Sequence, residues 1–374
     1  MRNERGIALL VVLMIVALLT ITVTEFTYSV QIDAHRTRNA LHALQAQLLA
    51  RSGINLAEGF LMLDDEPTYD AYGEEWWLRL IEFCKGVQLD ETTRLRCRVR
   101  DESGKININN TKEPRRFAQQ QGVTRSAILR DGLRCMFQGA GVEVDIVDKL
   151  TDYWQQDVPP DPNGQPGQVP EFTSLEDFGA MFGIPTEALN KLRPWLTAQP
   201  SALLRGININ TAPRGVLAAV LTEDAPTCTE PPAVADIMQR QVDIEQPIKS
   251  TGEIQGLISG LDNAALKRAL FDVRSKLYRL EASALTNVNP DNPTGGGIGQ
   301  TLSVLVSRTQ GQKPPIGGPV MGPNGKPIPN WTLRPLDWQK EGGARLFRSS
   351  PSEDENLPGN PDDEEEPENA LQTN

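Results

Sequence analysis

The chain reads as an α+β protein: a long N-terminal transmembrane α-helix packed on an antiparallel β-sheet, with a large α-helical domain inserted into that sheet. Three observations carry this reading. An uncharged apolar run opens the chain and passes without a break into a further helical pattern. Partial alternation of apolar and polar residues, the mark of half-buried antiparallel strands, appears early in the chain and again near its end. The long stretch between them reads as helical and holds one phrase twice.

The opening helix comes first. A short leader, residues 1–6, carries Arg2 and Arg5 and ends in Gly6. From Ile7 to Thr24 there is no charge, proline or glycine, so about 18 residues can cross most of a ~30 Å hydrocarbon core as a helix. No small-residue A-x-A site follows the run, which argues against an ordinary removable signal peptide. Arg2 and Arg5 place the amino terminus in the cytoplasm by the positive-inside bias. Leu41, Leu44 and Leu48, then Ile54, Ala57 and Leu61, continue the helical spacing up to Pro67, the first proline. One helix over 7–63, transmembrane over about 7–24, is roughly 85 Å long. Its second half is expected to pack on a globular head through the leucine stripe. His35 and His42 lie seven apart on it without a Cys or acid to complete a metal set, so they read as a solvated face.

The sheet is divided. Val87, Leu89, Leu95, Cys97 and Val99 alternate within a first part, 64–112, while Tyr278 to Leu285 and Thr301 to Val306 give strands of a second part, 276–348. Cys84 and Cys97 flank a segment short enough to fold back as a hairpin, which favours their pairing. With Cys135 and Cys228 outside the cytoplasm as well, where disulfides persist, three connectivities stay open.

Residues 113–275 form the inserted helical domain. Gly104-Lys-Ile-Asn-Ile-Asn-Asn-Thr111 is echoed by Gly206-Ile-Asn-Ile-Asn-Thr211, each followed by a proline and a helical run. A further helix follows in each copy (Val144 to Tyr153; Ala233 to Val242), then a helix start at Thr173-Ser-Leu-Glu176 or Lys249-Ser-Thr-Gly-Glu253. Asn109 or Asn110, and Asn210 or Thr211, are expected to cap the helices that follow. The first copy holds an extra loop from Gln155 to Phe172.

Composition limits the function. A net charge of −12 and an isoelectric point near 4.9 disfavour nucleic acid or anionic lipid as the main partner. Residues 349–374 hold nine acidic residues and no Lys or Arg, too little apolar surface to fold, and are read as a disordered acidic tail. There is no Gly-x-Ser-x-Gly and no His-Glu-x-x-His, and both histidines lie on the stem. Gly295-Gly-Gly-Ile-Gly299 and Gly322-Pro-Asn-Gly-Lys326 read as turns rather than phosphate loops. Trp76, Trp77, Trp154 and Trp195 read as core. The chain is not expected to be an enzyme.

The leader ending in Gly6 before an apolar run resembles the class III signal of type IV prepilins and pseudopilins. That resemblance implies cleavage after Gly6 by a prepilin peptidase, methylation of the new amino group at Ile7, and retention of the apolar segment. Pilins generally carry Glu at the fifth mature position, where it contacts the amino terminus of the subunit ahead; that position here is Val11. A subunit lacking it can sit where nothing lies ahead. With the long stem, the paired Ile-Asn-Ile-Asn repeats and the closing Arg334-Pro-Leu-Asp-Trp338, the chain resembles the K-type minor pseudopilins of type II secretion (the GspK, or XcpX, family) to about Trp338.

The resemblance implies a pilin-like fold and a head in the periplasm on an inner-membrane stem. It also implies a tip complex with I-type and J-type minor pseudopilins among other pseudopilins of the pseudopilus. Calcium near the inserted loop is implied too, with Asp157, Asp161, Asn163 and Glu171 as candidate ligands for a cation that wants six to eight oxygens. The family's Gly-Ala-Glu-Asp-like run is here replaced by Gly167-Gln-Val-Pro-Glu171. The repeats also resemble SAM or helix-hairpin-helix modules, so the alternative is a membrane-anchored DNA-binding protein of a competence or type IV pilus system. Between Glu143 and Asp177, however, nine acidic residues face Lys149 as the sole Lys or Arg, a balance that repels phosphates, and no nucleic acid is expected as a partner.

Overall fold

The computed structural model describes residues 4–112, 123–159, 167–224, 226–243, 245–288, 297–310, 321–322 and 326–342, with the backbone alone at 4–8 and 341–342. The acidic tail lies outside them.

The stem helix α1 runs from Glu4 to Leu61 over 58 residues. Threonine hydroxyls within its apolar half donate back along the helix, Thr20 to the Val16 carbonyl (2.8 Å) and Thr24 to that of Thr20 (2.7 Å), so they need no water. It is long and apolar enough to cross a membrane by length and composition. A short helix, α2 (Glu75–Cys84), leads into the hairpin β1 (Val87–Asp90) and β2 (Thr93–Asp101). The chain then leaves the sheet through a 3-10 turn at Glu102–Gly104 and the strand β3 (Ile106–Asn107).

The helical part follows. Its elements are α3 (Arg125–Ala140), α4 (Ile146–Gln155), α5 (Leu175–Phe182), α6 (Thr186–Leu192) and β4 (Leu196–Thr197), then β5 (Ile207–Asn208), α7 (Arg214–Leu221), α8 (Ala233–Val242), α9 (Thr251–Leu257), α10 (Ala264–Arg268) and β6 (Phe271–Asp272). Three long strands close the fold: β7 (Leu277–Thr286), β8 (Ile298–Gln310) and β9 (Trp331–Gly342).

The main sheet is antiparallel with order β1-β2-β7-β8-β9, so two neighbouring strands, β2 and β7, bracket the whole helical part. Their register pairs Cys97 with Ala282 and Val99 with Leu280. On this face Leu95, Cys97, Val99, Leu280, Ala282, Ala284, Leu302, Val304 and Val306 form one core with the stem. A second core fills the helical part around Leu133, Phe137, Leu150, Phe178, Leu192, Val216, Val220 and Ile237.

The stem meets the head differently from the sequence expectation. Ala46, Ala50, Ile54, Ala57 and Leu61 are buried against the sheet, whereas Leu41, Leu44 and Leu48 are each more than half exposed. Small residues allow close approach: a Cβ on Gly53 would stand 3.0 Å from Leu95 Cδ1. The leucines turn to the opposite side.

The repeat is real in space, and its asparagines do something other than cap. Each copy closes on itself through a two-residue parallel pair, Ile106 with Leu196 in the first and Ile207 with Phe271 in the second. Helix α3 is capped by Thr124, which accepts from the Ala127 amide, and α7 starts after Pro213 with no side-chain cap. Asn109 instead clasps the backbone of Phe172, donating to its carbonyl (2.9 Å) and accepting from its amide (2.9 Å). Asn210 clasps Ile248 in the same way, at 2.9 Å and 3.0 Å. Both clasped residues stand two before a serine, Ser174 or Ser250, that opens the next helix. An amide side chain carries donor and acceptor together, and burial makes both bonds obligatory, which explains the Asn in each phrase.

Candidate functional site

Two features of the head and stem are candidates: the outward face of α1 and the buried polar junction beneath it. Along α1, Val23, Phe26, Val30, Leu41, Leu44 and Leu48 recur at helical spacing and are all substantially exposed. At ~100° per residue this stripe lies roughly 160° round the helix from the face buried on the sheet. One side of the rod is therefore bound to its head, while the other continues the membrane segment's apolar surface outward. The strip has two apolar stretches, Val23 to Val30 and Leu41 to Leu48, with Asp33 and Thr37 on the same side between them; exposed apolar patches of this kind mark surfaces built for contact.

At the head end of the stem, Arg308 on β8 is almost fully buried. Its Nη1 donates to Asp64 Oδ2 at 2.9 Å and to the Leu61 carbonyl at 3.3 Å, its Nη2 pairs with Asp70, and its guanidinium lies 4.5 Å from the Trp331 ring centre and 5.1 Å from that of Trp76. Asp70 also accepts from the Ser275 amide (2.7 Å) and the Tyr278 hydroxyl (3.3 Å). Beside it, buried Asp101 accepts from Thr211 Oγ1 (2.5 Å), Ser275 Oγ and the Ser103 amide (2.7 Å), and Tyr72 donates to the Thr211 carbonyl at 3.0 Å. Gly104 fits here because a Cβ would stand 2.5 Å from the Thr211 carbonyl oxygen. One network thus joins the stem end, the sheet and the second repeat.

The network is rich in carboxylates. Burial pushes Asp64 up to about 7 even with Arg308 opposing it, Glu74 to about 10 with Asp64 and Asp70 adding to the rise, and Asp101 to about 6. Nearby, Glu102 is held below its ordinary range: burial alone would raise it, but Lys105 at 2.8 Å and Arg279 at 3.6 Å outweigh that. These groups bind one another in a buried network.

No family model matches the chain. Over 249 residues it is 28% identical to the type II secretion system protein K of Pseudomonas aeruginosa, covering 60% of this chain and 70% of that one. It is 25% identical over 234 residues to the protein of the same name from Aeromonas hydrophila, covering 56% and 68%. The fold matches a chain in the crystal structure of the GspK-GspI-GspJ complex from the type 2 secretion system of enterotoxigenic Escherichia coli, with a TM-score of 0.55 at 15% identity, over 82% of this chain and all of that one. Over more than half of its length the chain is similar to type II secretion protein K.

Gly6 and Ile7 lie on the backbone of α1, and Val11 is exposed on it. Cys84, at the end of α2, is joined to Cys97 on β2, and Cys135 on α3 to Cys228. The second pair was not legible, since its members lie 93 residues apart. Asp161 and Asn163 lie outside the described residues. Asp157 is exposed, and both Glu171 oxygens accept from Ser201, from its amide at 2.9 Å and its hydroxyl at 2.5 Å. The Lys112 ammonium donates to the Val169 carbonyl at 3.1 Å, and Tyr153 to that of Pro170 at 2.8 Å. Among the described residues no group of three or more His, Cys, Asp or Glu could hold a metal ion.

Sequence reasoning missed the Arg308 junction. Its signal was present: a lone charge ends the otherwise uncharged strand Thr301 to Ser307.

Proposed function

We propose that this chain is the tip-located minor pseudopilin of a type II secretion system, promoting assembly of the periplasmic pseudopilus for protein export across the outer membrane. Its partners on this reading are I-type and J-type minor pseudopilins, the proteins with which the solved structural relative is crystallised. The observation that carries the reading is the two-sided stem. An apolar stripe that continues the membrane segment faces away from the head, so leaving lipid for a bundle of like stems exchanges one apolar contact for another. Packing partners then decide when the subunit leaves the inner membrane.

The remaining parts belong to the same reading. Prepilin peptidase cuts after Gly6, Ile7 is methylated, the stem crosses the inner membrane once, and the head stands in the periplasm. Val11 removes the carboxylate that would contact a subunit ahead, which suits an end position. A bulky helical insertion suits that position too, and the protein's role is assembly rather than catalysis. Calcium in the 155–172 loop is a subsidiary proposal, resting on Asp157, Asp161, Asn163 and Glu171. Mass spectrometry of the membrane-purified protein tests the leader: a mature chain starting at methylated Ile7 is expected, and one starting at Met1 or beyond Val23 would overturn it.

A further inference from the structure

Among the described residues Trp338 is the one tryptophan that is exposed, at 42%. An indole left in water forgoes a large apolar burial, and at protein interfaces it is an indole of this kind that carries binding energy. Strand β9 holds it beside the stem. Along this strand Trp331 Nε1 donates to the Asp64 carbonyl at 2.7 Å, the Arg51 guanidinium lies 5.2 Å from the Trp338 ring centre, and the Lys340 ammonium donates to Gln47 Oε1 at 2.6 Å. Strand and helix therefore run side by side in opposite directions, the step from Trp338 to Lys340 (~6.6 Å) matching that from Arg51 to Gln47 (~6 Å).

This row continues the stem's outward face. Leu44, Gln47, Leu48 and Arg51 are neighbours at helical spacing, and both leucines are more than half exposed. The result is an elongated surface parallel to the stem, with Leu44, Leu48 and Trp338 as its apolar part and Arg51 and Lys340 as its charges. Among the described residues neither cation is in a salt bridge: one stacks on the indole and the other bonds an amide. Glu58, seven residues along α1, feels Arg51, but burial still leaves its carboxyl above the ordinary range.

Geometry narrows what can cover this surface. At about 1.5 Å per residue Arg51 stands about 40 Å along the helix from Thr24, where the uncharged run ends, so lipid is out of reach. An added strand is blocked as well. The Arg308 amide donates to the Lys276 carbonyl (2.8 Å), so Val306, two residues before it on β8, also turns its amide to β7. Its partner Pro335 then faces the open edge with no N–H to give, and the register shift beside it leaves Leu336 out of the ladder. A helix lying along the stem fits, provided that it brings negative charge to Arg51 and Lys340.

We propose that the Trp338-Arg51 surface seats the stem of a neighbouring subunit, an apolar helix carrying a carboxylate at the level of Arg51 and Lys340. This rests on the assembly reading above and gives the head its own part in the contact. The indole packs on the apolar face of that helix, and the guanidinium, held over the ring, offers its outer hydrogens to the carboxylate.

The test uses the full chain purified in detergent after co-expression with the I-type and J-type proteins. Trp338→Ala and Arg51→Glu/Lys340→Glu should each lower recovery of the complex at least about tenfold, with thermal unfolding of the chain alone unchanged. Placing photoreactive p-benzoylphenylalanine at position 338 should crosslink this chain to a partner's stem helix, located by peptide mass spectrometry. Undiminished recovery with both variants, while Leu44→Asp/Leu48→Asp abolishes the complex, would sink this proposal and leave the assembly reading standing. No complex with the unaltered chain would sink both. A crosslink to lipid, to a partner's strand or to a second copy of this chain, or no crosslink within a complex that forms, would also overturn the proposal, whether or not Trp338→Ala folds well.

Discussion

Arg308, on strand β8, donates to Asp64, three residues past the stem helix, at 2.9 Å with both groups buried. Asp64, Asp70 and the Leu61 carbonyl converge on this one cation, so it pins the end of the stem to the sheet. Replacing Arg308 by Met leaves two buried carboxylates without a counter-charge and should cost about 3–5 kcal/mol. Adding Asp64→Asn and Asp70→Asn should recover part of it. Trp76 lies beside Arg308, so denaturation followed by tryptophan fluorescence reads both effects.

The junction also sets a pH dependence. Asp64 and Glu74 ionise far above their ordinary range in the folded chain, at about 7 and about 10, chiefly through burial. Between the unfolded and folded values the folded state holds more protons, so stability falls as pH rises through that window. The melting temperature should be higher at pH 5.5 than at pH 8. Glu74→Gln, which can still accept from the Ala71 amide bonded by Glu74 at 2.8 Å, should flatten the slope above pH 7. A profile that rises with pH would contradict the assignment.

The paired asparagines should behave alike. Asn109→Ala and Asn210→Ala each remove a buried side chain that bonds both the amide and the carbonyl of one residue, Phe172 or Ile248. Each should destabilise by about 1–3 kcal/mol. Asn→Asp at either site keeps the acceptor, loses the donor and buries a carboxylate against the Phe172 or Ile248 carbonyl, and should be less stable than Ala in urea denaturation at neutral pH.

Stem contacts separate folding from assembly. Leu44→Asp and Leu48→Asp lie on the exposed stripe and should shift head stability by less than about 0.5 kcal/mol while abolishing co-purification with other pseudopilins. Ile54→Asp, on the buried face, should unfold the head. Loss of stability at Leu44 would contradict the division of the two faces.

Much of the fold was written in local patterns. The stem was visible as unbroken helical spacing before Pro67, the strands as alternation around Cys97 and Ala282, and the repeat as a recurring phrase. What stayed hidden is set by distant pairing. Leucine spacing could not tell which side of α1 meets the sheet, because close approach favours Ala46, Ala50 and Ala57 over the bulkier Leu41, Leu44 and Leu48. An asparagine before a helix reads as a cap, and only the fold shows that Asn109 reaches Phe172, 63 residues on. Arg308 finds Asp64 across 244 residues, a pairing that no local pattern encodes.

The central claim is that this chain works as one member of a minor-pseudopilin tip. Native mass spectrometry of the full chain purified in detergent after co-expression with the I-type and J-type proteins tests it most directly. The account predicts a complex with one copy of each of the three, lost on Leu44→Asp/Leu48→Asp. Recovery of this chain alone, while the other two remain together, would contradict it.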